Sequence, residues 1–227
     1  MVALGLSLLF LAYGNAASAF PHDTREQLLL WSNLAVMAVL LVWAFAWARL
    51  SAGELGLEVQ DLGSSATLGL GLSLLAALPP VLFIVLAPLF NGGPLELSEI
   101  TDRSGAGLAL FLLLRQPIGT ALFEEVAFRG VLYAAWLRVG AERAAILGSA
   151  TTFALWHSVI TSRAVIESGV VETPILTVAG ILIALVGLFV GGLLFGFLRW
   201  HTRSIAAPFM AHWLIVALMT VAVWAVG

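Results

Sequence analysis

Three charged residues that suit catalysis lie within one apolar stretch of the chain. Glu124 and Glu125 are adjacent, and Arg129 follows four residues after Glu125. Adjacent residues of a helix point in different directions, so the two carboxylates are not expected to share one role. The spacing favours an ion pair between Glu125 and Arg129, which leaves Glu124 free for general acid or base work. Alternatively, both glutamates are structural and pair with Arg129 and Arg115.

A histidine on the next expected helix has the right depth to join Glu124. Glu124 lies 14 residues before Arg138, and His157 lies 14 residues after Arg143. If both arginines mark one membrane interface, both side chains lie about 21 Å from it, at roughly 1.5 Å per residue. Two neighbouring antiparallel helices would bring them to one level, and we predict a shared site. The alternative is a lone histidine that is hydrogen-bonded within the bundle.

His212 is a third candidate, and its position leaves two interpretations open. It lies nine residues after Arg203, which is about 13–14 Å and therefore shallower. It is either part of the site or a structural histidine. Glu124, His157 and His212 together would suit a metal such as zinc, although the residues do not require a cofactor. Alternatively, Glu124 and His157 activate water without a metal, and His212 stabilises the oxyanion.

The composition places these residues in a membrane protein. Of 227 residues, 61% are hydrophobic and 10% are charged, with a mean hydropathy of +1.06. Soluble domains carry roughly 25% charged residues, so this chain cannot cover a soluble surface. The net charge of −3 leaves no basic face for nucleic acid, and the lack of cysteine excludes disulfides and thiol catalysis. We predict an all-α, polytopic transmembrane bundle of about seven or eight helices.

Uncharged stretches mark the expected spans. We predict spanning helices at 2–19, 27–48, 65–90, 106–136, 144–162, 173–198 and 204–226. Pro79, Pro80 and Pro88 are expected to kink or end the third helix. Met1–Ala19 has some features of a signal peptide, but no basic residue lies near its start, so a retained helix is favoured.

The basic residues, all of them arginine, predict the orientation. The expected helices place Arg25, Arg103 and Arg163 at one end and Arg49, Arg138, Arg143, Arg199 and Arg203 at the other. The positive-inside rule makes the second end cytoplasmic, with the N-terminus on the same side. The expected location is the plasma membrane of a bacterium or archaeon.

Taken together, these residues resemble the motifs of the CPBP family, the CAAX proteases and bacteriocin-processing enzymes that are also called the Abi family. The pattern is Glu124-Glu125-x-x-x-Arg129-Gly130, then Phe153-x-x-x-His157, then a glycine-rich helix that leads to Ser204 and His212. The resemblance implies an all-helical intramembrane peptidase. Within one integral membrane domain, 1–227, it implies a catalytic core at 106–227, and N-terminal transmembrane helices occupy 1–105.

The resemblance also implies a role for each matched residue. Glu124 and His157 match the pair that activates the attacking water, and His212 matches the histidine of the oxyanion hole. Glu125 and Arg129 match the second glutamate and the arginine of the first motif, as a structural ion pair. Because the family is often called a metalloprotease, Glu124, His157 and His212 are also the candidate ligands of a divalent metal.

One residue departs from the family pattern and keeps the function open. The last motif commonly has Asn four residues after the histidine, where this chain has Val216. The leading interpretation is an intramembrane endopeptidase that acts near the C-terminus of a membrane-anchored or lipidated protein or peptide. Val216 favours a weak or inactive relative that serves as a membrane binding or immunity protein. A proton-coupled transporter that uses Glu124 and His157 as a relay is a third possibility, but no inverted repeat is visible.

Overall fold

A computed structural model of the protein describes residues 1–58, 61–91, 93, 97–168 and 173–227. Its regular structure is helical throughout these residues, which confirms the predicted all-α class. The helices are α1 (Val2–Ala19), α2 (His22–Val42), α3 (Ala52–Leu55), α4 (Leu62–Asn91), α5 (Ser98–Thr101), α6 (Gly105–Leu137), α7 (Glu142–Trp156), α8 (Ser158–Glu167), α9 (Pro174–Thr202) and α10 (Ala206–Val226).

The long apolar helices confirm a polytopic membrane protein. Among the described residues, six helices are long and apolar enough to cross a membrane, namely α1, α2, α4, α6, α9 and α10. The pair α7 and α8 adds a seventh if it counts as one span that bends by 46°. Six of the seven predicted spans therefore have a counterpart, and the span predicted at 144–162 has one only if α7 and α8 cross together.

Helix α4 differs from the sequence expectation because it does not end at its prolines. It runs without interruption from Leu62 to Asn91, through Pro79, Pro80 and Pro88. Membrane helices tolerate proline because packing against neighbouring helices compensates for the lost main-chain hydrogen bonds. Here α4 packs along α10, and Ile84 and Ala87 contact the C-terminal part of that helix.

Helix α6 is the centre of the bundle and carries the most buried part of the chain. Its residues from Phe123 to Ala135 are all buried. Aromatic rings of α1 and α7 enclose it, with Phe10 and Trp156 both packed edge-on against Phe128. The helix includes π-helical stretches at Pro117–Leu122 and Val126–Leu132. Such stretches often accompany functional sites, and Glu124 and Glu125 lie between these two.

The contacts of the arginines agree with the predicted division between two ends of the bundle. At one end, Arg138 donates to Glu54 at 2.7 Å and to the main-chain oxygen of Ala48 at the same distance. At the other end, Arg163 donates to the main-chain oxygens of Ser18 and Ala19 at 2.6 and 2.9 Å. Each group of arginines therefore ties together the chain segments that meet at its own end.

Arg199 is the exception, because it is buried rather than interfacial, with 4% exposure. Its guanidinium donates to the main-chain oxygens of Arg129, Gly53 and Glu54 at 3.1, 3.2 and 2.8 Å. Gly56, with φ 70°, approaches so closely that a Cβ there would lie 2.6 Å from Nε of Arg199. Arg199 lies near the C-terminal end of α9, and its hydrogen bonds therefore link α9 to both α3 and α6.

Candidate active site

The structure brings Glu124, His157 and His212 together inside the bundle. Oε2 of Glu124 lies 3.7 Å from Nε2 of His157 and 3.9 Å from Nε2 of His212. The three side chains come from α6, from the break between α7 and α8, and from α10. The exposed fractions are 7% for Glu124, 17% for His157 and 7% for His212. The three side chains are therefore largely buried, and Glu124 and His157 lie close together, as expected of a shared site.

The hydrogen bond at Nδ1 of each histidine determines whether its Nε2 carries a proton or a lone pair. Nδ1 of His157 lies 2.8 Å from the main-chain oxygen of Phe153. Nδ1 of His212 lies 2.9 Å from Oε1 of Glu125. A carbonyl and an ionised carboxylate only accept hydrogen bonds, so we assign the proton of each neutral ring to Nδ1. Both Nε2 atoms then present a lone pair towards Glu124.

Glu125 has two partners, of which the sequence indicated only one. Arg129 donates to Oε1 of Glu125 at 3.3 Å, and both side chains are fully buried. The same oxygen accepts from His212, which is 87 residues away in sequence. Arg129 also donates to the main-chain oxygen of Gly192 at 3.4 Å and lies over the ring of Phe153. The pair therefore connects α6 to α7, α9 and α10, and it orients His212.

The side chain of Glu124 has an oxygen with no protein partner. Oε2 is buried and accepts no hydrogen bond within the described residues. A buried carboxylate oxygen without a partner is costly, so such an atom marks a place where a polar group binds. The facing Nε2 atoms of His157 and His212 make this place suitable for a water molecule or a substrate group.

A metal role for these three residues stays a prediction. In the part of the chain that the structure describes, no group of three or more His, Asp or Glu side chains is arranged to hold a metal ion. Catalytic zinc sites typically use three protein ligands and an open position. The described residues do not provide such a set.

The break that presents His157 is held by Asn15 of α1. α7 ends at Trp156 and α8 begins at Ser158, which leaves His157 outside both helices. Nδ2 of Asn15 donates to the main-chain oxygen of Leu155 at 3.1 Å, and Oδ1 accepts from the main-chain nitrogen of Val159 at 3.0 Å. The sequence offered no signal for this contact, because Asn15 lies 140 residues before Leu155.

Asn15→Ala is expected to slow catalysis by displacing His157. Displacement of a catalytic group by about 1 Å costs up to about 10²-fold in rate, so we expect kcat to fall about 10- to 100-fold. KM should change little, since Asn15 does not line the cavity beside Glu124 and His157 that is described next. Thr67→Ala, which removes a hydroxyl from the exposed side of α4, serves as the control. An unchanged kcat for Asn15→Ala would contradict this positioning role.

Glu124 and His157 line an open cavity of about 330 Å³. The N-terminal helices form one of its walls, where Tyr13 of α1 donates to Oδ1 of Asn33 at 2.7 Å. Asn33 in turn donates to the main-chain oxygen of Gly119 at 2.7 Å, one turn before Glu124. Sequence reasoning missed these residues because they precede the motifs by about 90 residues or more. Space for a substrate therefore lies directly beside the unpartnered carboxylate.

The fold defines an integral membrane protein that brings one carboxylate and two imidazoles together inside its helical bundle. Residues 106–218 match the family model described as type II CAAX prenyl endopeptidase Rce1-like. Over these residues the chain belongs to the Rce1-like family, which confirms the resemblance to the CAAX proteases and makes the chain a protease in general class. The matched region contains Glu124, Glu125, Arg129, His157 and His212. Comparisons with curated proteins and with solved structures found no match.

Proposed function

We propose that the protein is an intramembrane endopeptidase that cleaves membrane-anchored or lipidated proteins near their C-terminus. One observation carries the proposal: the buried Oε2 of Glu124 faces Nε2 of His157 across 3.7 Å, beside a cavity that both residues line. The family assignment supports the class of reaction and a substrate that is associated with the membrane. The plasma membrane of a bacterium or archaeon is the proposed location.

In the proposed reaction, a water molecule binds between Glu124 and His157. The carboxylate of Glu124 takes a proton from this water while the oxygen attacks the peptide carbonyl carbon. Nε2 of His157 accepts a hydrogen bond from the same water and orients it, because Phe153 holds the opposite side of the ring. The carbon–nitrogen bond then breaks, and Glu124 returns the proton to the leaving amine.

His212 is the proposed stabiliser of the oxyanion. Its Nδ1–H is directed at Glu125, so Nε2 donates to an oxyanion only when the ring carries a second proton. In that form both ring nitrogens donate, Nδ1 to Oε1 of Glu125 at 2.9 Å and Nε2 to the oxyanion. Glu125 is accordingly a positioning residue for His212 as well as the partner of Arg129.

Peptide cleavage by the purified protein tests this function. The protein in maltoside micelles is incubated with peptides that carry an N-terminal acyl chain and differ in sequence, and the products are mapped by mass spectrometry. We expect one bond to be cut, a few residues from the C-terminus. Glu142→Gln, which alters a half-exposed glutamate near Arg203, should cleave like the parent. The absence of cleavage in every peptide, or cleavage that survives Glu124→Gln, would refute the proposal.

Val216 is the observation that favours the second candidate, a weak or inactive family member. It lies one turn after His212 on the same helix and is half-buried. Its side chain has no group that can donate to an oxyanion. Loss of one such donor typically costs about 10²–10³-fold in rate, so in this second candidate the protein is slow or binds its partner without turnover.

Val216→Asn is expected to accelerate a slow parent by adding the missing donor. The gain should be about 10- to 100-fold, below the full contribution of a native donor because the geometry was not refined. Single-turnover cleavage of one acylated peptide by parent and variant measures it. If the variant restores nothing to an inactive parent, the binding protein is favoured. An active parent that is slowed by Val216→Asn would show that the site does not lack a donor.

A further inference from the structure

The cavity beside Glu124 and His157 has a charged wall that the proposed chemistry does not use. Five further charged residues line it among the described residues: Arg25, Glu26, Glu99, Arg103 and Arg115. Among the described side chains, three positive and two negative groups leave this wall with one net positive charge. Because the cavity is partly enclosed by apolar helices, this charge is screened less than a charge on an open surface.

This excess charge belongs to one cluster. Arg103 and Arg115 both donate to the same oxygen of Glu26, at 2.9 and 2.6 Å. Arg115 also donates to the main-chain oxygen of Glu26. Two guanidinium groups therefore share one carboxylate, whereas Nη2 of Arg25 donates to both oxygens of Glu99 at 2.9 Å. Nε of Arg103 is buried and has no hydrogen-bond partner.

The position of this cluster relative to Glu124 indicates what it binds. Arg115 lies nine residues before Glu124 on α6, which is at most about 13 Å along the helix axis. An extended peptide spans about 3.3–3.6 Å per residue, so three or four residues fill this distance. A group three or four residues beyond the cleaved bond would therefore reach the guanidinium groups.

We propose that Arg103 and Arg115 bind the C-terminal carboxylate of the substrate and thereby set the cleavage position. The substrate would lie in the cavity with its C-terminus towards the arginines, and the bond to be cut would lie at Glu124, three or four residues earlier. A carboxylate suits this place because guanidinium groups bind it with charge-assisted hydrogen bonds and the cluster has a positive charge to spare. This inference rests on the proposed function.

A pair of peptides tests the inference without altering the protein. Both carry the same acyl chain and sequence, but one ends in a free carboxylate and the other in an amide. In maltoside micelles no lipid phosphate competes for the arginines. The parent should cleave the free acid with kcat/KM about 10- to 100-fold higher, in keeping with hydrogen bonds to charged groups. Equal cleavage of both peptides would overturn the inference and leave the proposed function standing.

Variants identify the groups that recognise the carboxylate. Arg103→Gln and Arg115→Gln should each reduce the preference for the acid at least several-fold, chiefly by raising KM for that peptide. Arg163→Gln is the control, because Arg163 lies at the same end of the bundle and bonds the main chain of α1 without lining the cavity. A preference that survives in both test variants would overturn the assignment. Cleavage of neither peptide by the parent would refute the proposed function, and this inference with it.

Discussion

Glu124→Gln is expected to abolish peptide cleavage while the protein still folds and accumulates in the membrane. The amide has nearly the same shape as the carboxylate but cannot take a proton from water. General acid–base catalysis contributes about 10²–10⁴-fold, so kcat should fall by about the same factor. His157→Ala should have a comparable effect, because the water loses the acceptor that faces Glu124 at 3.7 Å. Cleavage of an acylated peptide measures both losses.

The stability of the same variants separates a catalytic role from a structural one. Oε2 of Glu124 has no hydrogen-bond partner in the described structure, so the Gln variant should unfold within a few degrees of the parent in a thermal assay in detergent. Glu142→Gln controls for loss of a negative charge at a half-exposed position. Normal processing by Glu124→Gln or His157→Ala would show that the active centre has been misassigned.

The second large effect is expected for the buried pair of Glu125 and Arg129. Arg129→Leu leaves the carboxylate of Glu125 fully buried without its cation. Breaking a buried ion pair in this way typically costs about 3–5 kcal/mol of unfolding free energy. The main-chain oxygen of Gly192 also loses a donor, because Arg129 bonds it at 3.4 Å. Thermal or denaturant unfolding in micelles should show a large loss of stability.

Glu125→Gln should combine a loss of stability with a loss of rate, because Glu125 also orients His212. Arg203→Gln is a suitable control for both variants, since Arg203 is 76% exposed and its pair with Glu142 should contribute about 1 kcal/mol or less. If Arg129→Leu and Glu125→Gln were as stable as the parent yet inactive, the structural role of this pair would be wrong.

The parts of the fold that follow from local patterns were predictable from the sequence. A membrane helix must satisfy its own main chain and be apolar throughout, so hydropathy and charge alone indicated the spans. The spacing of Glu125 and Arg129 indicated their proximity because residues four apart share a helix face. The equal depth of Glu124 and His157 followed from counting residues to two interfacial arginines, because the helical rise is constant.

The contacts between distant helices were not predictable in the same way. In a membrane helix the faces towards lipid and towards neighbours are both apolar, so the sequence does not show which faces meet. Three features depend on which helix faces pack together. They are the hydrogen bond of Glu125 to His212, the contact of Asn15 with the break at His157, and the cavity wall that includes Asn33. The prolines of α4 do not end the helix for a related reason, since packing against α10 compensates for their missing main-chain donors.

The central claim is that Glu124 and His157 activate water for direct attack on the peptide bond. Cleavage in water enriched in a heavy oxygen isotope, with hydroxylamine present, tests this claim most directly. We expect each new carboxylate to gain one heavy oxygen atom, with no hydroxamate product and no change in the mass of the protein during turnover. A hydroxamate product, or a covalent peptide adduct on the protein, would show that a side chain rather than water is the nucleophile and would contradict the account.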